Sequence, residues 1–345
     1  MRAGAALSRV GTALARMVAA AKPYLPGLGL LVAGAVLAAL IGTAVDGLQP
    51  LVVAVAVGAV VGNTVGVPAA ADPGVGVDKL CLETGIVLLG AAVVVEEFLA
   101  AGPTVLGLVL LTVGGGLLLA EGISRLLFRV GAPTSSLLAA GASICGVSAV
   151  VAIGRVLDAR GSAITIAAGT VLLFDAVTLV AFPVAGEWLD LTSRQFGVWA
   201  GVSMFSTGPV AAAGFAHSAE AGQWATVTKL ARNSLLGGVA IAYSLAYTAR
   251  SATDPGVRRL WAEFPKFLLG FLLVAAVANS GLLSPAALES IGRVSDALFT
   301  LAFVGLGLSI RLREMRAVGG AAVGAVLVHL LVVSALALAA VRWLL

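Results

Sequence analysis

Two stretches of this chain interrupt apolar runs with the kind of residues that can hold a ligand. GASICGVSAVVAIG, residues 141–154, sets Gly141 and Gly146 five apart beside Ser143 and Ser148. That pattern lets a helix unwind at membrane depth, so that hydroxyls and freed backbone N–H groups face a ligand. A half-helix beginning there presents its positive end to an anion. GVSMFSTGPVAAAG, residues 201–214, places Ser203, Ser206, Thr207, Gly208 and Pro209 in a second apolar run. Proline removes a donor and the preceding turn loses its ladder, so a break is expected here as well. Two interrupted helices point to a transport site, whereas the structural alternative is close packing through small residues or a simple kink.

Charged groups inside apolar runs are the next candidates. Lys229 and Arg232, in TVTKLARNSLLGG, lie three apart on one helical face next to Asn233. Charge is costly in lipid, so they should face a cavity, a carboxylate or a bound anion, unless they snorkel to an interface. Asp175, in VLLFDAVTLVAFP, should either carry a proton, which would suit proton coupling, or form a static pair with Lys229 or Arg232. Glu121 and Arg125 read as a structural i, i+4 pair. Asn63 and Asn279 end their runs and would cap helices or line a vestibule; in a cation-coupled carrier they would help bind the cation.

Other chemistries find little support. His217 and His329 have no partner at metal-ligand spacing, and no Cys/His cluster occurs, so no metal is expected. No GxxxxGK[ST] loop occurs, and the VGGG at 113–116 lies in an apolar run. Ser143 and Ser206 lack a nearby histidine base, so neither an enzyme nor a cofactor is expected.

The elements that must position these residues follow from composition. The 345 residues are 60% hydrophobic and 11% charged, with a mean hydropathy of +1.09 and 43 glycines. This is an all-α polytopic membrane protein, since Ala, Val, Leu and Gly favour packed helices over the alternation of a barrel. The net charge of +4 sits in clusters between apolar runs, which suits membrane orientation and not nucleic-acid binding. Cys81 and Cys145 read as small packing residues. Arg2, Arg9 and Arg16, seven apart, mark residues 1–26 as an amphipathic cytoplasmic segment, with residues 27–345 forming a single transmembrane domain.

With about 20 residues per crossing, eleven segments emerge: 27–45, 50–67, 79–97, 103–124, 134–153, 161–183, 196–215, 223–249, 264–282, 292–310 and 317–341. A cytoplasmic N-terminus puts Lys22, Arg125, Arg129, Arg250, Arg258, Arg259, Lys266, Arg311, Arg313 and Arg316 on the cytoplasmic side, as the positive-inside rule requires, and the C-terminus outside. Arg155 and Arg160 disagree, because eleven crossings leave them outside. An internal repeat also emerges. Residues 50–68 align with 265–285, pairing Asn63 with Asn279, and 85–102 align with 302–319, pairing Gly90 with Gly307, at an offset of 216 to 217. The arms, about 50–124 and 264–341, run antiparallel in this topology, giving an inverted repeat of a kind frequent in secondary transporters.

GASICGVSAVVA, VTKLARNSLL, GIVLLGAAVV and FVGLGLSIRL, in this order from about residue 30 onward, resemble the YeiH-like family of inner-membrane sulfate exporters. The resemblance implies a ten- or eleven-helix inverted-repeat transporter, similar in architecture to the bile acid and arsenite carriers. It implies sulfate, a related oxyanion or a sulfonate as substrate, with Ser143, Cys145, Gly146, Lys229 and Arg232 as site residues, in a cell inner membrane. One departure is visible: where such relatives carry a His-Glu pair, this chain reads Phe205 and Ser206. Coupling would then move to Asp175, or the substrate would differ. The expected partners are a small anion and the lipid bilayer, with a second copy of the chain left open. The alternatives are a sodium- or proton-coupled carrier of an organic acid or sulfonate, and a membrane scaffold or receptor that transports nothing.

Overall fold

The computed structural model describes residues 21–44, 50–93, 95–248, 266–311 and 319–345. The amphipathic segment around Arg2, Arg9 and Arg16 lies outside the described residues, as do Arg250, Arg258, Arg259, Arg313 and Arg316. The described chain is all-α and polytopic. Its helices are α1 (Leu25–Ala44), α2 (Pro50–Thr64), the short α3 (Asp72–Val75), α4 (Asp78–Leu89), α5 (Val95–Gly122), α6 (Ala132–Ser143), α7 (Val147–Val156), α8 (Gly161–Trp188), α9 (Ser193–Ser203), α10 (Thr207–His217), α11 (Ala219–Asn233), α12 (Leu236–Thr248), α13 (Phe267–Asn279), α14 (Pro285–Ser309) and α15 (Gly320–Leu344). Five helical runs are long and apolar enough to cross a membrane: Lys22–Ala44, Ala101–Leu127, Gly161–Trp188, Pro285–Ser309 and Gly320–Leu344. Their outer faces expose Leu106, Leu110 and Leu118 on α5, Val180 and Val184 on α8, and Leu331 and Leu336 on α15, the surface that hydrocarbon requires.

The chain divides into two compact units. The first, Met1–Thr84 with Asp296–Ile310, is built by close approach of small residues. Gly58 of α2 and Gly307 of α14 face each other, and a Cβ on either would stand within about 3.0 Å of the other's Cα. Asn63 ends α2 and donates through Nδ2 to its own Ala59 O at 2.8 Å and to Ile310 O at 2.6 Å.

The second unit, Gly85–Ser295 with Arg311–Leu345, holds the sites anticipated from sequence. Asn279 ends α13 there and donates to Ala275 O and to Val93 O, both at 2.9 Å. The two interruptions fall where the glycine, serine and proline residues placed them, between α6 and α7 and between α9 and α10. Each break reverses the chain, so segments 134–153 and 196–215 are helical hairpins and not continuous helices.

In the first hairpin, Gly154 packs 3.8 Å from Leu137 Cδ2 and Gly141 packs 2.8 Å from Val150 Cγ2, both measured from an ideal Cβ. An unbroken helix would hold residues 137 and 154 about 25 Å apart. In the second, Ser218 Oγ donates to Ser193 Oγ at 2.8 Å, and the Phe196 and His217 rings stack with centroids 4.2 Å apart. The reversal has a local cause at each tip. Gly146 sits at φ +68°, a left-handed conformation that a side chain disfavours. At the other tip Met204 and Ser206 are extended and Pro209 follows in the first turn of α10. The root of the second hairpin is fixed by a capping box, in which the Thr192 hydroxyl accepts from Gln195 N at 3.2 Å and the Gln195 carbonyl accepts from Thr192 N at 3.3 Å.

Helices α11 and α12 pass beside both hairpins, α11 against α9 and α10, α12 against α7, while α8 packs against α6, α7 and α10. Gly197, Gly201 and Gly214 leave no room for a Cβ against α11, which explains why this helix fits between the arms of the second hairpin.

Candidate functional site

The two hairpin tips meet. A Cβ on Gly146 would collide with Ser206 Oγ, so the first tip depends on glycine for contact as well as for conformation. Helices α6 and α9 end at the tips and leave their last carbonyls without helical partners. Lys229 and Arg232, both fully buried on α11, supply those partners. Lys229 Nζ donates to Ile144 O at 2.7 Å and to Met204 O at 3.0 Å. Arg232 donates from Nε to Ser143 O at 2.7 Å, from Nη1 to Met204 O at 2.6 Å and from Nη2 to Ala142 O at 2.5 Å. The two cations therefore staple one hairpin to the other and oppose the negative ends of two helix dipoles. An ammonium has three donors and a guanidinium five, so these bonds leave one and two donors for other acceptors.

Asp175, in the middle of α8, forms no ion pair with either cation. The ion pairs among the described residues are Glu121–Arg125 and Glu289–Arg293. Its Oδ1 accepts the backbone N–H of Ser206 at 3.0 Å, which sets a carboxylate at the positive end of α10. Thr207 Oγ1 accepts from Asn233 Nδ2 at 2.9 Å, and Gly208 is buried in the same first turn. Ser143 Oγ, Ser203 Oγ, Thr228 Oγ1 and Asn233 Oδ1 are buried around the tips with no hydrogen-bond partner among the described residues. Cys145 is buried at the first tip, and Ser148 is exposed on the first turn of α7.

His329 was invisible as a site residue in the sequence, because nothing near it in the chain suggests a partner. The fold places it against the VGGG glycines. Ser143 Oγ and His329 Nε2 stand 3.1 and 3.5 Å from where a Cβ on Gly116 would be. Among the described residues the buried Asp, Lys, Arg and His side chains are Asp175, Lys229, Arg232 and His329. All four belong to this cluster, and each acts electrostatically on at least one other.

A second polar network anchors the root of the first hairpin. Glu121 takes Arg125 Nε at 2.5 Å, Ser136 Oγ at 2.6 Å and Tyr243 Oη at 3.0 Å, and Arg125 also donates to Tyr247 Oη at 2.9 Å. The structural reading of Glu121 and Arg125 thus extends to α6 and α12. Asn279 and, in the first unit, Asn63 each donate to a carbonyl at a helix end. Among the described residues no three His, Cys, Asp or Glu side chains gather as metal ligands.

The family profile described as "Conserved hypothetical protein 698" matches residues 26–325. A UPF0324 membrane protein of Nitratidesulfovibrio vulgaris is 32% identical over 313 residues, 86% of each chain. One from Corynebacterium glutamicum is 31% identical over 297 residues, again 86% of each. The UPF0324 membrane protein TauZ of Paracoccus denitrificans is 33% identical over 254 residues, 72% of this chain and 74% of its own. No solved structure matches the chain. A profile spanning most of the sequence, and relatives above 30% identity across most of both chains, carry one conclusion: the chain belongs to the conserved hypothetical protein 698 family, the UPF0324 membrane proteins.

Proposed function

We propose that this membrane protein is a secondary transporter of a small anion, bound where the two hairpin tips meet. The observation that carries the reading is the convergence of the buried charges on that one place. Ionisable groups inside a membrane are costly, and they are retained where they line a substrate or ion path. Four helix ends meet at the tips. The carbonyl ends of α6 and α9 are served by Lys229 and Arg232, and the amide end of α10 by Asp175. We place the anion at the amide end of α7, where Val147 and Ser148 begin the helix, with Ser206 alongside and the remaining donors of Lys229 and Arg232 in support. Sulfate, thiosulfate and sulfonates are the substrates to try first, given the resemblance to sulfate exporters.

The hairpins also support the cytoplasmic N-terminus. A hairpin returns the chain to the face it left, so Arg155 and Arg160 join Arg125 and Arg129 on one side. With nine crossings, α1, α2, α4, α5, α8, α11 with α12, α13, α14 and α15, the basic groups at Lys22, Arg125 and Arg129, Arg155 and Arg160, Arg250 to Lys266 and Arg311 to Arg316 fall on the cytoplasmic side and the C-terminus outside. The first hairpin then enters from the cytoplasm and the second from outside, which suits a site reached from each face in turn.

The inverted repeat finds support in paired contacts at the same offset of 216 to 217. Asn63 binds Ile310 O as Asn279 binds Val93 O, and Gly307 packs on Val55 and Ala59 as Gly90 packs on Phe271 and Ala275. Each arm thus supplies the asparagine that closes a helix end of the other. The test is uptake of labelled sulfate, thiosulfate or taurine into proteoliposomes, with empty liposomes as control. Saturable uptake of one of them is expected, and no uptake of any would remove the reading.

A further inference from the structure

Resting on that reading, we infer that the site balances its charge against the substrate, so that a dianion crosses together with one proton held on His329. In the low-dielectric interior an uncompensated charge is expensive, and a carrier lowers its barrier by keeping site plus cargo close to neutral. In their ordinary charge states the buried Asp175, Lys229 and Arg232 carry one negative and two positive charges. Their sum is +1, which a monoanion neutralises. A dianion such as sulfate leaves −1 unless one more positive charge arrives.

His329 is the group in place to supply it. It lies on α15, fully inside the protein, against Gly116 of α5 and beside Ser143 at the end of α6. Histidine is also the side chain whose charge changes between about pH 5 and 8. The charged and titratable groups on the elements packed against α15 are Glu96 and Glu121 on α5, Arg125 just beyond it, Asp175 and Glu187 on α8 and Arg194 on α9, with Arg232 and Lys229 of α11 and Cys145 of the first tip in the same cluster. Of these, Arg232 acts on His329 directly. Glu121 is occupied by Arg125, Ser136 and Tyr243, and Arg194 lies over the Trp224 ring at 4.9 Å. Asp175 already has the Ser206 amide as its partner at the positive end of α10, and we assign the change of charge during a cycle to His329.

An arriving dianion adds negative charge to a cluster that holds Lys229 and Arg232, and that added field favours a further positive charge on His329. Proton and dianion are then taken up together, whereas a monoanion needs no proton. The experiment uses the full-length protein in liposomes holding a pH-sensitive dye, with sulfate and methanesulfonate as probes, whose charges are constant over the range tested. One proton should enter per sulfate and none per methanesulfonate. The sulfate-to-methanesulfonate flux ratio should rise as pH falls, by up to about tenfold per unit. In H329Q that ratio should become independent of pH.

Equal proton movement with both anions, or an acid-dependent ratio that survives in H329Q, would overturn the coupling and leave the transport reading intact. If neither anion moves in the wild-type protein, both fail together. Because the proton count is taken on the wild-type chain, the outcome does not depend on whether H329Q folds.

Discussion

Lys229 and Arg232 share one acceptor, the carbonyl oxygen of Met204, at 3.0 and 2.6 Å, and reach from it to the carbonyls of the other hairpin. One turn of α11 therefore holds together two hairpins that are separate in the chain. The hairpins can part only if these bonds are broken or exchanged for bonds to a ligand.

Removing Arg232 should be costly for this reason. Arg232→Met leaves three carbonyl contacts at the tips without their donor, each worth about 1–3 kcal/mol when buried and unmet. A large fall in the detergent melting temperature is expected. Arg232→Lys keeps the charge but cannot reach three acceptors with one nitrogen, so an intermediate fall is expected. A melting temperature unchanged in both variants would show that the staple carries no stability.

Gly146→Ala meets two obstacles, a φ of +68° and the Ser206 hydroxyl. Combining it with Ser206→Gly removes the second obstacle and not the first. The double variant should regain part of the lost stability and uptake, with a residual cost of about 1 kcal/mol or more from the backbone. Full wild-type behaviour of Gly146→Ala alone would contradict the tip geometry.

The hairpins make a topological prediction. Single cysteines at Arg129 and Asp158 should react with an impermeant thiol reagent from the same face of the membrane, and one at Asp190 from the opposite face. Labelling of positions 129 and 158 from different faces would restore the first hairpin as a crossing.

Asp175→Asn keeps an oxygen for the Ser206 amide but removes its negative charge. The fixed charge of the site rises from +1 to +2, so sulfate should gain on methanesulfonate and should need no accompanying proton. A flux ratio that shifts toward the monoanion would contradict the charge argument.

Much of this was legible in the sequence, and the rest was hidden for identifiable reasons. Gly146 marked a break because glycine tolerates a positive φ that a helix does not use, and Pro209 because it removes a backbone donor. That the breaks reverse the chain could not be read from hydropathy, since an apolar hairpin and an apolar crossing have the same composition. The clue was Arg155 and Arg160, which only a hairpin places on the basic side. Lys229 and Arg232 were recognisable as buried cations, yet their partners are backbone carbonyls, which no residue pattern announces. Asp175 was expected either to carry a proton or to pair with them, and its Oδ1 meets a backbone amide that no residue pattern announces. His329 stood alone in sequence because α5 and α6, which supply its neighbours Gly116 and Ser143, lie far from it along the chain.

The placement of the anion at the start of α7 is tested most directly at Ser148, which is exposed on that first turn. A cysteine there should react with a sulfonate-bearing methanethiosulfonate reagent, and the reaction should abolish uptake. The transported anion should slow the labelling in proportion to its occupancy of the site, while the parent chain, whose Cys81 and Cys145 are both buried, serves as the control. Labelling that no transported anion slows, with uptake unaffected by modification, would place the substrate somewhere other than the meeting point of the two hairpins.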